Sequence, residues 1–159
     1  MIVIAGGGPN GLFLASELML AGVRPVFLVC LDEPTTEPKA NGMVGQVVRL
    51  LDHRDLHQRL GGPKPFQAPR FMFGAMPLDL SALEVNPITI LPVPQRRLEQ
   101  VLEERALELG VEIRRGHEVV SFTQDGDGVT VTIRGPEGDY SERAEYLVGA
   151  DGGTSTVRK

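Results

Sequence analysis

Residues 2–11 read Ile-Val-Ile-Ala-Gly-Gly-Gly-Pro-Asn-Gly, and this stretch decides the fold. Its first four residues form an apolar run of β-branched character, which is typical of a buried parallel strand. Apolar residues then recur at three- and four-residue intervals through residues 10–21, which predicts a helix that Gly22 ends. A second apolar run follows at residues 26–29. The order strand, glycine turn, helix, strand predicts a right-handed βαβ unit with two parallel neighbours, the signature of a doubly wound sheet.

The middle of the chain alternates between loop, helix and strand patterns. Residues 32–38 predict a loop, and residues 43–51 predict a second helix. Prolines are spread through residues 61–94, which excludes long helices there and favours short strands outside the main sheet. One apolar stripe runs through residues 96–109 and predicts an amphipathic helix that Gly110 ends.

The last third of the chain is mostly extended. A short strand is expected at residues 111–114, and residues 118–123 with 129–133 predict a hairpin. The apolar run 146–149 is expected to rejoin the main sheet before residues 151–155 open another helix. The fold class is therefore α/β: a Rossmann-like parallel sheet with inserted antiparallel strands.

Composition excludes several classes of protein. The chain has 159 residues, a net charge of −5 and scattered basic side chains, so nucleic acid is not an expected partner. No stretch approaches the roughly 20 apolar residues of a membrane-spanning helix, and the start lacks the pattern of a secretory signal. The lone Cys30 fits a reducing compartment and is expected to serve in packing. The chain is therefore expected to be a cytoplasmic protein with no membrane partner.

The glycine turn carries the strongest chemical signal. Gly6, Gly8 and Gly11 match the pattern G-x-G-x-x-G, with Pro9 and Asn10 between the last two. The first glycine permits a tight turn, the second lets the backbone approach a pyrophosphate, and the third lets helix and strand pack closely. The pattern predicts a dinucleotide site at the helix N-terminus, and the alternative is an ordinary glycine-rich turn.

The second strand lacks the acid that usually follows this motif. A carboxylate at the end of that strand normally accepts hydrogen bonds from the adenosine ribose, but this chain has Val29 and Cys30 there. Asp32 or Glu33 could reach back from the loop to replace it. The alternative is that both carboxylates are simply solvated loop residues.

Residues 146–158 read Tyr-Leu-Val-Gly-Ala-Asp-Gly-Gly-Thr-Ser-Thr-Val-Arg. Asp151, Gly152, Ser155 and Arg158 match the pattern Asp-Gly-x-x-Ser-x-x-Arg after an apolar strand. In this respect the chain resembles the FAD-dependent aromatic hydroxylases, the class A flavoprotein monooxygenases, and among them the polyketide and antibiotic hydroxylases. The resemblance implies that Asp151 meets the ribityl region of the flavin. The alternative role for Asp151 is a helix N-cap.

The same resemblance implies three further cofactor contacts. Gln95 would lie near the flavin, and the backbone around Val119 near the adenine. Lys39 would replace the family's arginine beside the pyrophosphate, as a point charge without the bidentate fork of arginine. Alternatively, Gln95 is a polar residue at a helix start and Val119 is a strand core residue.

The resemblance implies an enzyme that uses NADPH, FAD and oxygen to hydroxylate a small aromatic substrate. The sequence stops before the family's later motifs, so residues 1–159 are expected to be the N-terminal part of an FAD-binding domain, with 61–94 as an excursion towards the substrate domain. No catalytic acid or base is nominated, and no metal site is expected from His53 and His57. Self-association through uncovered apolar faces is expected. The alternatives are a non-catalytic nucleotide-binding or interaction module, and a related halogenase or reductase.

Overall fold

A computed structural model describes residues 1–35 and 39–159 of the chain. The strands are β1 (Ile2–Ala5), β2 (Pro25–Val29), β3 (Met43–Val44), β4 (Phe66–Gln67), β5 (Arg70–Phe73), β6 (Met76–Asp79), β7 (Thr89–Leu91), β8 (Glu112–Arg115), β9 (Glu118–Asp125), β10 (Gly128–Gly135), β11 (Gly138–Ala144) and β12 (Tyr146–Gly149). The helices are α1 (Pro9–Leu20), α2 (Gln46–Asp52), α3 (Leu56–Leu60) and α4 (Gln95–Glu108). The chain divides into two compact units, one formed by Met1–Thr36 with Leu102–Lys159 and the other by Glu37–Val101.

The first unit is built on a parallel sheet with the strand order β12-β1-β2-β8. Ala5 of β1 pairs with Gly149 of β12 on one side and with Leu28 of β2 on the other, so these strands end at the same edge. This arrangement confirms the predicted βαβ unit and the return of residues 146–149 to the main sheet. It also confirms the α/β fold class.

Helix α1 connects β1 to β2, and residues at both of its ends fix where it begins and ends. Pro9 stands at its first position, where a missing N–H costs nothing. At its other end Gly22 has a φ of +78°, its N–H donates to the carbonyl of Met19, and the N–H of Val23 donates to that of Leu18. These C-terminal capping hydrogen bonds satisfy carbonyls that the helix end leaves free, and they turn the chain back towards β2.

The antiparallel sheet β11-β10-β9 covers one face of the parallel sheet. Val131 and Ile133 of β10 are fully buried and belong to one apolar cluster with Val3 and Leu28 of the parallel strands. The predicted hairpin is confirmed, and it has β11 as an unpredicted third strand. This face therefore carries strands where a doubly wound fold would carry a second helical layer.

The second unit contains the proline-rich segment. Strands β3, β7 and β4 form a small antiparallel sheet, and β5 pairs with β6 as a separate hairpin. Helices α2 and α3 lie in the same unit. The guanidinium of Arg97 donates to the carbonyls of Arg59 and Leu60, which caps the end of α3. The expected strands of residues 61–94 thus lie outside the parallel sheet, as predicted.

Three local predictions need correction. The predicted helix at 43–51 begins only at Gln46, because residues 43–44 pair with β7 as a strand. The predicted helix at 151–155 is a set of turns, because the two glycines that follow Asp151 lower helix propensity. Cys30 is exposed and so does not serve in core packing. Of the predicted 32–38 loop, residues 36–38 lie outside the described residues.

The carboxyl ends of β1 and β12 touch at Gly6. Gly6 has a φ of +118°, and a Cβ there would overlap the carbonyl oxygen of Ala150 and lie 2.6 Å from the backbone nitrogen of Asp151. The N–H of Ala150 in turn donates to the carbonyl of Ala5 at 2.7 Å. Only glycine supplies both the backbone conformation and the space.

We predict that Gly6→Ala lowers the free energy of unfolding by about 2 kcal/mol, because the new methyl group must displace backbone atoms at a positive φ. Urea unfolding of the purified chain measures this loss. Gly126→Ala is the matched control, since a Cβ at Gly126 meets nothing within 4 Å and its φ lies outside the left-handed region. Equal stabilities of the two variants would contradict the account.

Candidate functional site: the glycine turn and the Asp151 loop

The glycine turn holds the start of α1 tightly against the parallel sheet. The N–H of Gly6 donates to the carbonyl of Leu28 at 2.9 Å. A Cβ at Gly11 would lie 2.7 Å from both the Gly6 carbonyl oxygen and Cε2 of Phe27. Gly11 therefore permits the close approach of helix and strands that the motif requires.

Gly8 differs from the other motif glycines because its surroundings are open. It is the N-cap of α1, with φ −84° and ψ 175°, and within the described chain no side chain caps the helix here. A Cβ at Gly8 would meet nothing within 4 Å. The first-turn N–H groups of a helix lack internal partners and carry partial positive charge, so this end is suited to an external anion.

The carboxyl end of β2 presents a valine to the same turn. Cγ1 of Val29 lies 2.7 Å from the position of a Cβ on Gly7. The predicted substitutes for the missing acid, Asp32 and Glu33, are both exposed. A carboxylate oxygen of Asp32 lies directly against Gly116, at the end of β8.

Asp151 lies immediately beyond β12 and organises the loop that follows it. Its Oδ1 accepts a hydrogen bond from the Ser155 hydroxyl at 2.5 Å. Its Oδ2 accepts the backbone N–H groups of Thr156 at 2.8 Å and Val157 at 3.2 Å. The buried Ser155 also accepts the N–H of Arg158 and donates its own N–H to the Gly152 carbonyl, so the four motif residues form one hydrogen-bonded loop around a carboxylate with room for about one further donor.

The loop keeps Asp151 ionised. Burial raises the pKa of its carboxyl, but the hydrogen bonds from Ser155, Val157 and Thr156 together outweigh burial and hold the pKa below the ordinary aspartate value. At neutral pH the group is therefore an acceptor of hydrogen bonds and not a proton donor. Such an acceptor suits the hydroxyl groups of a polyol.

Ala150 brings the two motifs together. Its carbonyl contacts Gly6, and its Cβ lies 3.3 Å from the position of a Cβ on Gly11. Asp151 is the next residue, so the anion-binding helix end and the carboxylate stand side by side at one edge of the sheet. This combination fits a dinucleotide that has a pyrophosphate and, beyond it, a chain of hydroxyls, as FAD does.

The other residues predicted to contact the cofactor lie outside the glycine turn, and the structure gives their positions without testing their roles. Lys39 and Gln95 lie in the second unit; Lys39 is exposed, and the Gln95 side chain donates to Glu99. Val119 is a buried core residue of β9 beside a bulge, where Ile133 pairs with Val119 and Thr132 with Ser121. Gly152 is exposed with a φ of +82°. The cofactor contacts assigned to these four residues stay predictions.

Sequence reasoning missed two contributors to the site, Gly7 and Ala150. Both are small residues at strand ends, and their closeness to Val29 and Gly6 is visible only once the strands are aligned. In the described part of the chain, no cluster of three metal-ligating side chains occurs. None of the described helices combines the length and apolar character needed to cross a bilayer.

Comparison with known proteins agrees with this geometry. Residues 1–159 match the FAD binding domain family. The chain belongs to that family. FAD is therefore the cofactor of this domain, and the predicted family membership is confirmed.

Similar proteins include antibiotic-biosynthesis enzymes. The 12-dehydrotetracycline 5-monooxygenase/anhydrotetracycline 6-monooxygenase of Streptomyces rimosus is 49% identical over 99% of this chain and 32% of its own length. A dialkyldecalin synthase of Streptomyces rugosporus is 39% identical, over 99% of this chain and 33% of its own length. The solved structure of BexE, described in terms of oxidation during BE-7585A biosynthesis, has a TM-score of 0.89 and 44% identity over 99% of this chain and 32% of its own. The FAD-binding chain thus spans about a third of the length of these relatives.

We predict that Gly8→Ser separates stability from cofactor binding. A serine hydroxyl at the N-cap takes a free N–H of α1, so the free energy of unfolding should stay equal or rise by a few tenths of a kcal/mol. The same hydroxyl competes with the pyrophosphate, so FAD affinity should fall by about tenfold. Urea unfolding and fluorescence titration measure the two effects. Gly126→Ser is the control, and a Gly8→Ser variant that binds FAD normally would refute the role of Gly8.

We predict that Asp151 contributes a pH-dependent part of the stability. Because its folded-state pKa is lowered, the ionised group stabilises the folded chain above the ordinary aspartate value, and this contribution is lost as the pH falls through the folded-state pKa. The stability gap between wild type and Asp151→Asn should therefore be constant near neutral pH and narrow below about pH 4. Urea unfolding across the range measures it. A gap that is independent of pH would contradict the bonding described.

Proposed function

We propose that this FAD-binding domain is the N-terminal part of a flavin-dependent monooxygenase that hydroxylates an aromatic compound. The observation that carries the proposal is the joining of the glycine turn to the Asp151 loop through Gly6 and Ala150. The likeness to an anhydrotetracycline 6-monooxygenase over 99% of this chain supports it. The activity belongs to the whole protein. This chain spans only about a third of the length of its relatives.

The residues of the chain would bind and orient the cofactor. The N-terminus of α1, with Gly8, Pro9 and Asn10, would hold the pyrophosphate, and the carboxylate of Asp151 would accept the ribityl hydroxyls, with Gly152 beside it. Lys39 and Gln95 are the second-unit candidates for the pyrophosphate and the flavin, and Val119 is the candidate for the adenine. FAD, when bound, supplies the redox chemistry that activates oxygen, and the protein holds it in place.

The substrate class, the reductant and the compartment belong to the same proposal. We propose a polycyclic aromatic polyketide as the substrate, and the substrate named for the tetracycline relative supports this choice. NADPH is the proposed reductant, and the cytoplasm the proposed compartment. Self-association is proposed through the β5–β6 hairpin, where Phe73 and Met76 are 74% and 68% exposed.

A second candidate function comes from a different relative. The dialkyldecalin synthase shares 39% identity with this chain, and its name describes no hydroxylation. The same cofactor-binding part therefore serves enzymes with different reactions. The second candidate is an FAD-binding module of a ring-forming enzyme, and NADPH consumption with oxygen by the whole protein would separate it from the monooxygenase.

We predict that the purified chain binds FAD saturably and that Asp151→Asn weakens binding by about tenfold, because a neutral amide is a poorer acceptor for hydroxyls than a carboxylate. Calorimetry and flavin fluorescence measure the affinity. Asp127→Asn is the matched control, since Asp127 lies exposed in the β9–β10 turn. A folded chain that does not bind FAD, or equal weakening by both variants, would overturn the proposed role.

A further inference from the structure

We propose that the adenosine ribose site of this chain makes no hydrogen bond to the 2′-hydroxyl group. The reason is that the apolar side chain of Val29 occupies the position where a carboxylate usually accepts that bond. The inference rests on the proposed function, since it concerns the same FAD site. It makes Val29 a specificity-determining residue of that site. The ligand is an adenosine diphosphate group that the chain holds by its pyrophosphate.

The position of Val29 is set by the strand alignment. It is the last residue of β2, one residue beyond Leu28, whose carbonyl accepts the N–H of Gly6. Its Cγ1 lies 2.7 Å from the position of a Cβ on Gly7, so the side chain faces the glycine turn. In dinucleotide-binding folds the acid at this strand end accepts the ribose hydroxyls. A valine there offers no hydrogen-bond acceptor and is 5% exposed.

The Asp32 carboxylate does not occupy the position of the missing acid. The sheet order β12-β1-β2-β8 places β1 and β8 on opposite sides of β2. The glycine turn follows β1, whereas the Asp32 carboxylate lies against Gly116 at the end of β8. The N–H of Gly116 also donates to the carbonyl of Leu31, which ties this part of the loop to the β8 side. Asp32 is thus held at the end of β8, outside the position at the end of β2 where the usual acid meets the ribose.

The remaining acceptors of the site serve other parts of the ligand. Gly8 and the α1 N-terminus offer N–H donors, which suit phosphate oxygens and not hydroxyl protons. The Asp151 carboxylate lies beyond β12, on the far side of β1 from β2. Among the described residues, Val29, Asp32 and Asp151 thus offer no carboxylate at the strand end where the 2′-hydroxyl is usually bound, and the exposed Glu33 follows the segment tied to β8, so removal of this hydroxyl should cost little affinity.

The test compares ADP with 2′-deoxy-ADP on the full 159-residue chain by isothermal titration calorimetry. For wild type we expect the two dissociation constants to agree within about twofold, since no hydrogen bond to the 2′-hydroxyl is lost. For Val29→Glu we expect ADP to bind about tenfold more tightly than 2′-deoxy-ADP, because the new carboxylate accepts the hydroxyl. Val29→Gln separates charge from shape, and Val29→Thr supplies an acceptor of the same size as valine if the glutamate variant does not fold.

Two results would overturn the inference, and they differ from each other. Wild-type discrimination of tenfold or more, abolished by Asp32→Asn or Glu33→Gln, would show that a loop carboxylate reads the ribose while leaving the FAD site intact. Failure of every folded variant to bind ADP and FAD would overturn the proposed function and this inference with it. The inference is supported if wild type binds ADP and 2′-deoxy-ADP equally while Val29→Glu, or to a smaller extent Val29→Thr, prefers ADP.

Discussion

The contact between Gly6 and the peptide that joins Ala150 to Asp151 is the constraint on which the rest of the site depends. It lets β1 and β12 end together, although their sequences lie at opposite ends of the chain. Because Gly6 has no Cβ, the glycine turn can pass directly under the start of the Asp151 loop. The helix end that favours a phosphate and the carboxylate that favours hydroxyls therefore stand at the same edge.

The sequence predicts well those parts of the fold that local chemistry determines. The run at residues 2–5, the three glycines and the apolar stripe of α1 suffice for the βαβ unit, since each is set by neighbours a few residues away. The hairpin turn at residues 125–128 and the helix from Gln95 are likewise local patterns. The same holds for the family resemblance, which is carried by two short motifs whose spacing can be read without a structure.

The errors come from elements that depend on distant partners. Residues 43–44 are a strand only because β7 lies beside them. Strand β11 was missed because its core-facing side carries only Tyr140 and Ala144 as apolar residues, with Glu142 between them. The segment after Asp151 forms turns in place of the predicted helix, and its two glycines lower helix propensity there. The orientation of Val29 towards Gly7 could not be read from sequence either, because it requires the register of two strands.

The central claim is that the glycine turn and the Asp151 loop form one FAD site. Backbone amide chemical shifts of the isotope-labelled chain, followed while FAD is added, test it most directly. The account predicts that the amides of Gly8, Asn10 and Gly11 shift together with those of Gly152, Ser155 and Thr156, with one dissociation constant for both segments. Shifts confined to one segment, or largest at the β9–β10 turn, would contradict the account.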